Sequence, residues 1–464
     1  MTSRTDPDPT HPDPTATTPV ATLPIDTTPT ATDATRCPGK SDPGCTGPPG
    51  EACGARTPAL REIKRWTVAD RIPADSDGLS LARSVTEYAR GRGKHFLPER
   101  MLVGLSGVRR RHAADRPFLD AFLDCVLDKH EGRFWNRSYL ALPVLELLMD
   151  RRHTALSADR MATLLVSDVV RFEIAAAGGS REGPARGRPD PATLGTRLRH
   201  ALRFVSQGLG RPDGPDAGEL PSRRTPTARP PRLDEVADRL PRPPAAAVWQ
   251  WFHVTVQPVH VLHDEYFFIR ALQAHEMLFT EAAADMRAVI AALRRGRTEE
   301  AVERTDRAAA TVARAAALFR MVATMRAEQF SAFRQYTLGA SAIQSEQYKR
   351  FESLCGVPRV PRLHSAAFLN VPAVRAEAED PGHDTVTRAR LDLHGERAVG
   401  PAERDRLDAA LGRLEARHQR WKSAHRSLAV RMLGDAHGSG YTDGVPYLTE
   451  CLGNRLFWQL APNT

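Results

Sequence analysis

Apolar residues recur at steps of three and four through most of the chain, and no stretch alternates apolar with polar as a half-buried strand would. The longest such stripe runs Leu407, Leu411, Leu414, His418, Trp421, His425, Leu428, Met432. It predicts one helix over 401–434, opened by Pro401 in its first turn and turning its stripe to a core. The same spacing predicts long helices over about 261–295, 298–326 and 328–355. Upstream, Phe118 to Leu127 is amphipathic, Tyr139 to Leu148 is too apolar for a surface, and Ser157 is placed to cap a run ending at Ile174. The expected fold is all-α, a helical bundle.

Composition divides the chain into four. Residues 1–57 are Thr, Pro, Asp and Gly with almost no large apolar side chains, so burial cannot offset their ordering entropy and a disordered arm is expected. An N-terminal helical region follows over 58–178. A Gly/Pro/Arg-rich linker with one short helix near 192–208 spans 179–247, and the main helical domain runs over 248–464. No run of about 18 apolar residues exists, so no membrane-spanning helix is expected. The first residues lack the basic-then-apolar layout of a secretory signal, which makes a cytoplasmic location the expectation.

The net charge of +9 invites a nucleic-acid partner, but its make-up argues against one. Of the 65 basic residues six are lysines, and the arginines are interleaved with Asp and Glu instead of gathering in a patch. Cys37, Cys45 and Cys53 recur every eight residues in the Pro/Gly tail, whereas structural zinc sites use tighter pairs. They read as incidental thiols.

The chemistry lies in the last long helix. A histidine on the dry side of a helix needs a partner for each ring nitrogen. His425, among Trp421, Leu428 and Met432, reads either as a core histidine bonded to a carbonyl or as an axial ligand to haem iron. Haem iron takes a neutral imidazole in an apolar, partly closed pocket. On spacing alone the packing role comes first. A glycine-rich loop, Gly434 to Leu448, follows directly and carries the hydroxyls of Ser439 and Thr442. It reads as a surface turn or as a mobile lid over a pocket.

Four segments resemble, in order, the motifs of tryptophan 2,3-dioxygenases. They are His263-Asp264-Glu265-Tyr-Phe-Phe268-Ile269, Phe333-Arg334-Gln335-Tyr336, Ala340-Ser341-Ala-Ile-Gln344-Ser345-x-Gln347, and Trp421-x3-His425-x5-Arg431-Met-Leu-Gly434 with its Gly-Ser-Gly loop and Tyr447-Leu448. The resemblance covers about 259–450. It implies a b-type haem held by His425 as proximal ligand, with Trp421, Leu428 and Ser341 beside the cofactor. It implies further that Arg334 grips the carboxylate of an amino-acid substrate with Tyr336 nearby. A guanidinium suits that task through two parallel hydrogen bonds, although an interhelical salt bridge would use the same residue. Ser439 stands where the family has a threonine near the substrate amino group, with Thr442 beyond it, and Phe268 and Leu272 fall in the substrate pocket.

Departures from the family pattern bear on the reaction. Leu272 stands where the dioxygenases have a distal histidine. His275, three residues on, shares a face with Phe268, Leu272 and Phe279, and either supplies a polar group or packs. His275 and His263 are the histidines left for a catalytic role. Ala342 and Ile343 replace the family's Gly-Phe, so the pocket is remodelled and the substrate expected is not plain tryptophan. The segment Asp124-Cys-Val-Leu-Asp128-Lys-x-Glu-Gly132-Arg133, followed by Tyr139-Leu-Ala-Leu, resembles actinobacterial haem-dependent tyrosine hydroxylases of natural-product pathways. Some of these attach haem through a cysteine four residues after the proximal histidine. Ala429 occupies that position here, so the haem is expected to be non-covalent.

The function expected is therefore a haem-dependent hydroxylase or peroxygenase that uses O2 or H2O2 on tyrosine or a tyrosine derivative. Two alternatives stand beside it: ring cleavage of L-tryptophan to N-formylkynurenine, and a non-catalytic haem or amino-acid binding helical protein. The resemblance implies a dimer or tetramer, with neither nucleic acid nor membrane as partner.

Overall fold

In a computed structural model, the residues described are 57–69, 72, 77–133, 135–150, 156–179, 187–210, 233–337, 339–393, 399–438 and 442–460. The expected N-terminal arm lies outside them, as do parts of the expected linker. Every regular element among the described residues is helical, as the apolar spacing requires.

The first helices are α1 (Pro58–Val68), α2 (Leu79–Arg92), α3 (Glu99–His112) and α4 (Pro117–Val126). They close their own apolar cluster around Trp66, Met101, Phe118 and Phe122. The apolar run from Tyr139 breaks in two: α5 (Asn136–Tyr139) and α6 (Leu142–Met149), with Ala141 between them at φ 46°. A left-handed non-glycine residue cannot continue a helix, and here it turns the chain.

Next come α7 (Ala158–Ala177), α8 (Pro191–Leu209), α9 (Leu233–Arg239) and α10 (Ala246–His253). Ser157 caps α7 by accepting the Arg160 amide at 3.2 Å. Asp190 caps α8, with Pro191 at the first helical position. At Gly208 a Cβ would sit 2.3 Å from the Thr163 hydroxyl and 2.7 Å from the Arg314 guanidinium, so glycine lets α8 approach α7 closely.

The frame of the molecule is α11 (His263–Arg294), α12 (Thr298–Val322) and a long C-terminal helix. α11 packs along α12 on one side and α7 on the other. Charged side chains pin this packing from inside. Arg197 of α8 is fully buried and donates to Glu173 of α7 at 2.5 Å and Asp264 of α11 at 2.8 Å. Arg270 donates to Asp168 at 2.7 Å.

The single helix expected over 328–355 is two, α13 (Ala327–Arg334) and α14 (Glu346–Cys355). Local side-chain bonds interrupt it. The Thr337 hydroxyl donates to the Arg334 carbonyl at 2.8 Å, and Gly339 takes φ 95°. Ser341 and Gln344 form a capping box around a short 3-10 turn, and Ser345 caps α14 through the Tyr348 amide. The helix expected over 298–326 likewise ends at Val322.

Short helices α15 (Val360–Leu363), α16 (Ala366–Leu369), α17 (Pro372–Glu379) and α18 (Val386–Leu391) lead to α19 (Pro401–Leu433) and α20 (Val445–Cys451). α19 opens at Pro401 and lays its apolar stripe along α12. No single described helix is long and apolar enough to cross a membrane.

Candidate functional site

Helices α11, α12, α13 and α19, with the 340–345 turn and the loop after α19, enclose a cavity between them. It holds about 1,680 Å³ of unfilled space counting its open mouth. Its walls are mostly apolar and aromatic, including Phe268, Leu272, Phe279, Phe333 and Leu428.

His425 faces this cavity from α19. Its ring stacks on Phe319 of α12, with centroids 5.2 Å apart and planes 6° from parallel, and Trp421 lies 5.7 Å away one turn earlier. Burial, and next the neighbouring His275 and Lys349, push its pKa down to about 4, so the imidazole is neutral at pH 7. The side chain keeps some accessible area because it opens on the cavity. Neither ring nitrogen bonds to any described residue. His418, two turns earlier on the same stripe, contrasts with it: its Nε2 meets the Tyr348 hydroxyl at 3.0 Å and its Nδ1 lies 4.0 Å from Glu415. One histidine of the stripe is held in the core through Nε2, and the other is left open to the cavity.

Arg334 ends α13 at the cavity wall. Its Nη2 donates to the His437 carbonyl of the glycine-rich loop, and burial lowers its pKa. No carboxylate pairs with it among the described residues. The cavity also has a polar corner. Glu276 is buried, with Oε2 lacking a hydrogen-bond partner, and burial raises its pKa to about 7. Lys349, whose ammonium donates to the Ile343 carbonyl at 3.3 Å, is lowered to about 8, also by burial.

Of the residues singled out in the sequence, His425, Trp421, Leu428, Arg334, Ser341, Thr442, Phe268, Leu272 and His275 all line this one cavity. Ser439 lies outside the described residues. His275 Nδ1 meets the Ala271 carbonyl of its own helix at 3.0 Å, while Nε2 has no hydrogen-bond partner among the described residues. Burial pushes its pKa down to about 4. With the proton on Nδ1, the neutral ring leaves Nε2 as an acceptor.

Two residues are not brought to the cavity. His263 begins α11, twelve residues or about 18 Å of helix before His275. Its Nε2 bonds Glu173 at 2.9 Å and its ring stacks on Phe172, which makes it part of the buried charge network. Tyr336 lies beyond the end of α13 and packs among His95, Phe96 and His260.

The sequence reading missed Asn136, Tyr139, Glu276 and Lys349, all of which line the cavity. Glu276 carried a signal, as an acid set among apolar positions of α11. Asn136 sits in the short apolar-flanked segment ahead of Tyr139, where periodicity says nothing of what it faces.

This geometry has relatives. Residues 253–371 match the family model of tryptophan 2,3-dioxygenase. A tryptophan 2,3-dioxygenase of Bordetella parapertussis is 28% identical over 243 residues, covering 44% of this chain and 84% of that protein. Those of Ruegeria sp. and Polaromonas naphthalenivorans are each 26% identical, covering 43% and 44% of this chain and 82% and 85% of their own lengths. Over this region the chain is similar to tryptophan 2,3-dioxygenases.

Proposed function

We propose that this protein is a haem-dependent oxidoreductase that oxygenates an aromatic L-amino acid, with His425 as the iron ligand. The observation that carries this reading is a neutral imidazole with both nitrogens unbonded, facing an apolar cavity that also holds an arginine without a carboxylate partner. A buried histidine without partners is costly in a core but fits a site whose partner is a metal. Among the described residues no cluster of three His, Cys, Asp or Glu could hold a bare metal ion, whereas haem asks the chain for a single ligand. Trp421, Leu428 and Phe319 would flank the macrocycle.

Bound haem supplies the activation of O2 or peroxide. The chain's own residues bind and orient. The Arg334 guanidinium grips the substrate carboxylate, which fixes one end of the molecule. Phe268, Leu272 and Phe333 exclude water and hold the ring. Leu272 brings no polar group to the cavity, and His275 has Nδ1 on its own helix backbone with Nε2 left unpartnered among the described residues. The apolar Leu272 at the position of the family's distal histidine favours hydroxylation of a tyrosine-type ring. Ala429 offers no thiol near His425, so the haem is taken as non-covalent and extractable into acidified organic solvent.

A second reading, ring cleavage of tryptophan, is favoured by the names of the relatives. Product mass separates the two, since hydroxylation adds one oxygen atom and cleavage adds two. The test of the proposal is the absorption spectrum of the haem-reconstituted protein beside His425→Ala. A Soret band that is lost or shifted in the variant, and restored by added imidazole, is expected. An unchanged spectrum would remove His425 as ligand, and no haem uptake at all would leave a helical binding protein.

A further inference from the structure

The cavity is finished by a segment outside the 253–371 region that matches the dioxygenase family: α5 contributes Asn136, Tyr139 and Leu140 to its lining. Tyr139 is accounted for, with its hydroxyl donating to Glu265 at 3.3 Å. Asn136 is not. Its backbone amide donates to Gln344 Oε1 at 2.8 Å, and its carbonyl accepts the Leu140 amide at 2.9 Å. Among the described residues its carboxamide has no hydrogen-bond partner, and the residue is 3% exposed. The Gln344 oxygen that holds Asn136 also accepts the Ser341 amide at 3.3 Å, which ties α5 to the 341–345 turn. That turn carries Ser345, hydrogen-bonded to Glu276, so Asn136 belongs to the polar corner of an otherwise apolar cavity.

A buried amide without partners costs about 1–3 kcal/mol unless a ligand completes it. Its chemistry says which ligand group does so. A carboxamide offers an N–H donor and a C=O acceptor, and a hydroxyl is both acceptor and donor. An indole N–H donates only and would leave the amide N–H unpaired, and an unsubstituted phenyl ring would leave both unpaired.

We infer that Asn136 is a specificity-determining residue which receives a ring hydroxyl, so that the substrate is a phenolic L-amino acid, tyrosine or a ring-substituted tyrosine. This rests on the reading of the cavity as an aromatic amino-acid site. Arg334 reads the carboxylate common to all amino acids, and Asn136 reads the substituent that separates tyrosine from phenylalanine.

The experiment is calorimetric titration of the full haem-reconstituted chain with L-tyrosine, L-phenylalanine and L-tryptophan, for wild type and Asn136→Leu, which removes both polar atoms at similar size. Wild type is expected to bind tyrosine at least roughly tenfold more tightly than phenylalanine, as a site built to bond a hydroxyl rejects the analogue lacking it. The variant is expected to lose that gap by weakening tyrosine alone, with phenylalanine within about twofold of wild type. Asn136→Ala serves if the leucine variant does not fold. A gap that survives in the variant, equal weakening of tyrosine and phenylalanine, or a wild-type preference for tryptophan overturns the inference and leaves the amino-acid site standing. No binding of any of the three overturns both.

Discussion

The imidazole of His425 lies face to face with the ring of Phe319, 5.2 Å between centroids and 6° from parallel. Phe319 is in turn 4.8 Å from His275 and 5.5 Å from Trp421. One buried phenylalanine on α12 therefore sets the plane of the histidine on α19. Removing it with Phe319→Ala should destabilise the protein by about 3–5 kcal/mol, the cost of a large-to-small change in a core. The haem Soret band should also broaden as the histidine ring gains freedom, whereas Phe319→Leu keeps most of the volume and should do less. Thermal melts and spectra of the two variants check this, and an alanine variant as stable as wild type would refute the packing role.

Among the described residues Arg334 has a carbonyl partner, His437, and no carboxylate. If it waits for a substrate carboxylate, Arg334→Ala should weaken binding of the L-amino acid by roughly 10- to 100-fold, the worth of a charge-assisted pair. The amine lacking the carboxylate should bind equally to both proteins. Titrating each ligand into wild type and variant separates this from a loss of fold, which would weaken both.

Arg197 faces two buried acids, Glu173 and Asp264, with His263 on the far oxygen of Glu173. Arg197→Ala would leave those carboxylates uncompensated in a dry interior. We expect a loss on the order of 3–5 kcal/mol in denaturant unfolding. A variant within about 1 kcal/mol of wild type would mean that the network is solvated.

Glu276 gives stability a pH dependence of known sign. Burial raises its pKa from 4.5 to about 7. Between those values the unfolded chain has released this proton and the folded chain still holds it. The folded state then binds more protons, so stability from this group falls as pH rises from about 4.5 to about 7. Glu276→Gln should flatten that part of the stability–pH curve, with Lys349 protonated throughout the window. A curve with the same slope in both proteins would show Glu276 to be ionised in the fold.

The 3.6-residue apolar period by itself determined the all-α class and the extents of α11 and α19, because burying one stripe leaves a long amphipathic helix little choice. It also placed His425 on the apolar stripe, whereas Arg334 and Leu272 were singled out by the resemblance to the dioxygenase motifs. What it could not determine was which buried polar group has a partner. His418 and His425 stand seven residues apart on one stripe and look alike in sequence, yet one meets Tyr348 and the other meets the cavity. Partners come from other helices, 70 residues away in the first case and 90 in the pairing of His263 with Glu173. The break after α13 escaped for a related reason: the side-chain bonds of Thr337, Ser341 and Gln344 outweigh helix propensity there. Asn136 was invisible because α5 is a single turn, too short for any period, and only the packing of α5 against the 341–345 turn brings its carboxamide to the site. Helical pattern is local and can be read along the chain, whereas the satisfaction of buried polar groups is a long-range property that the tertiary structure decides.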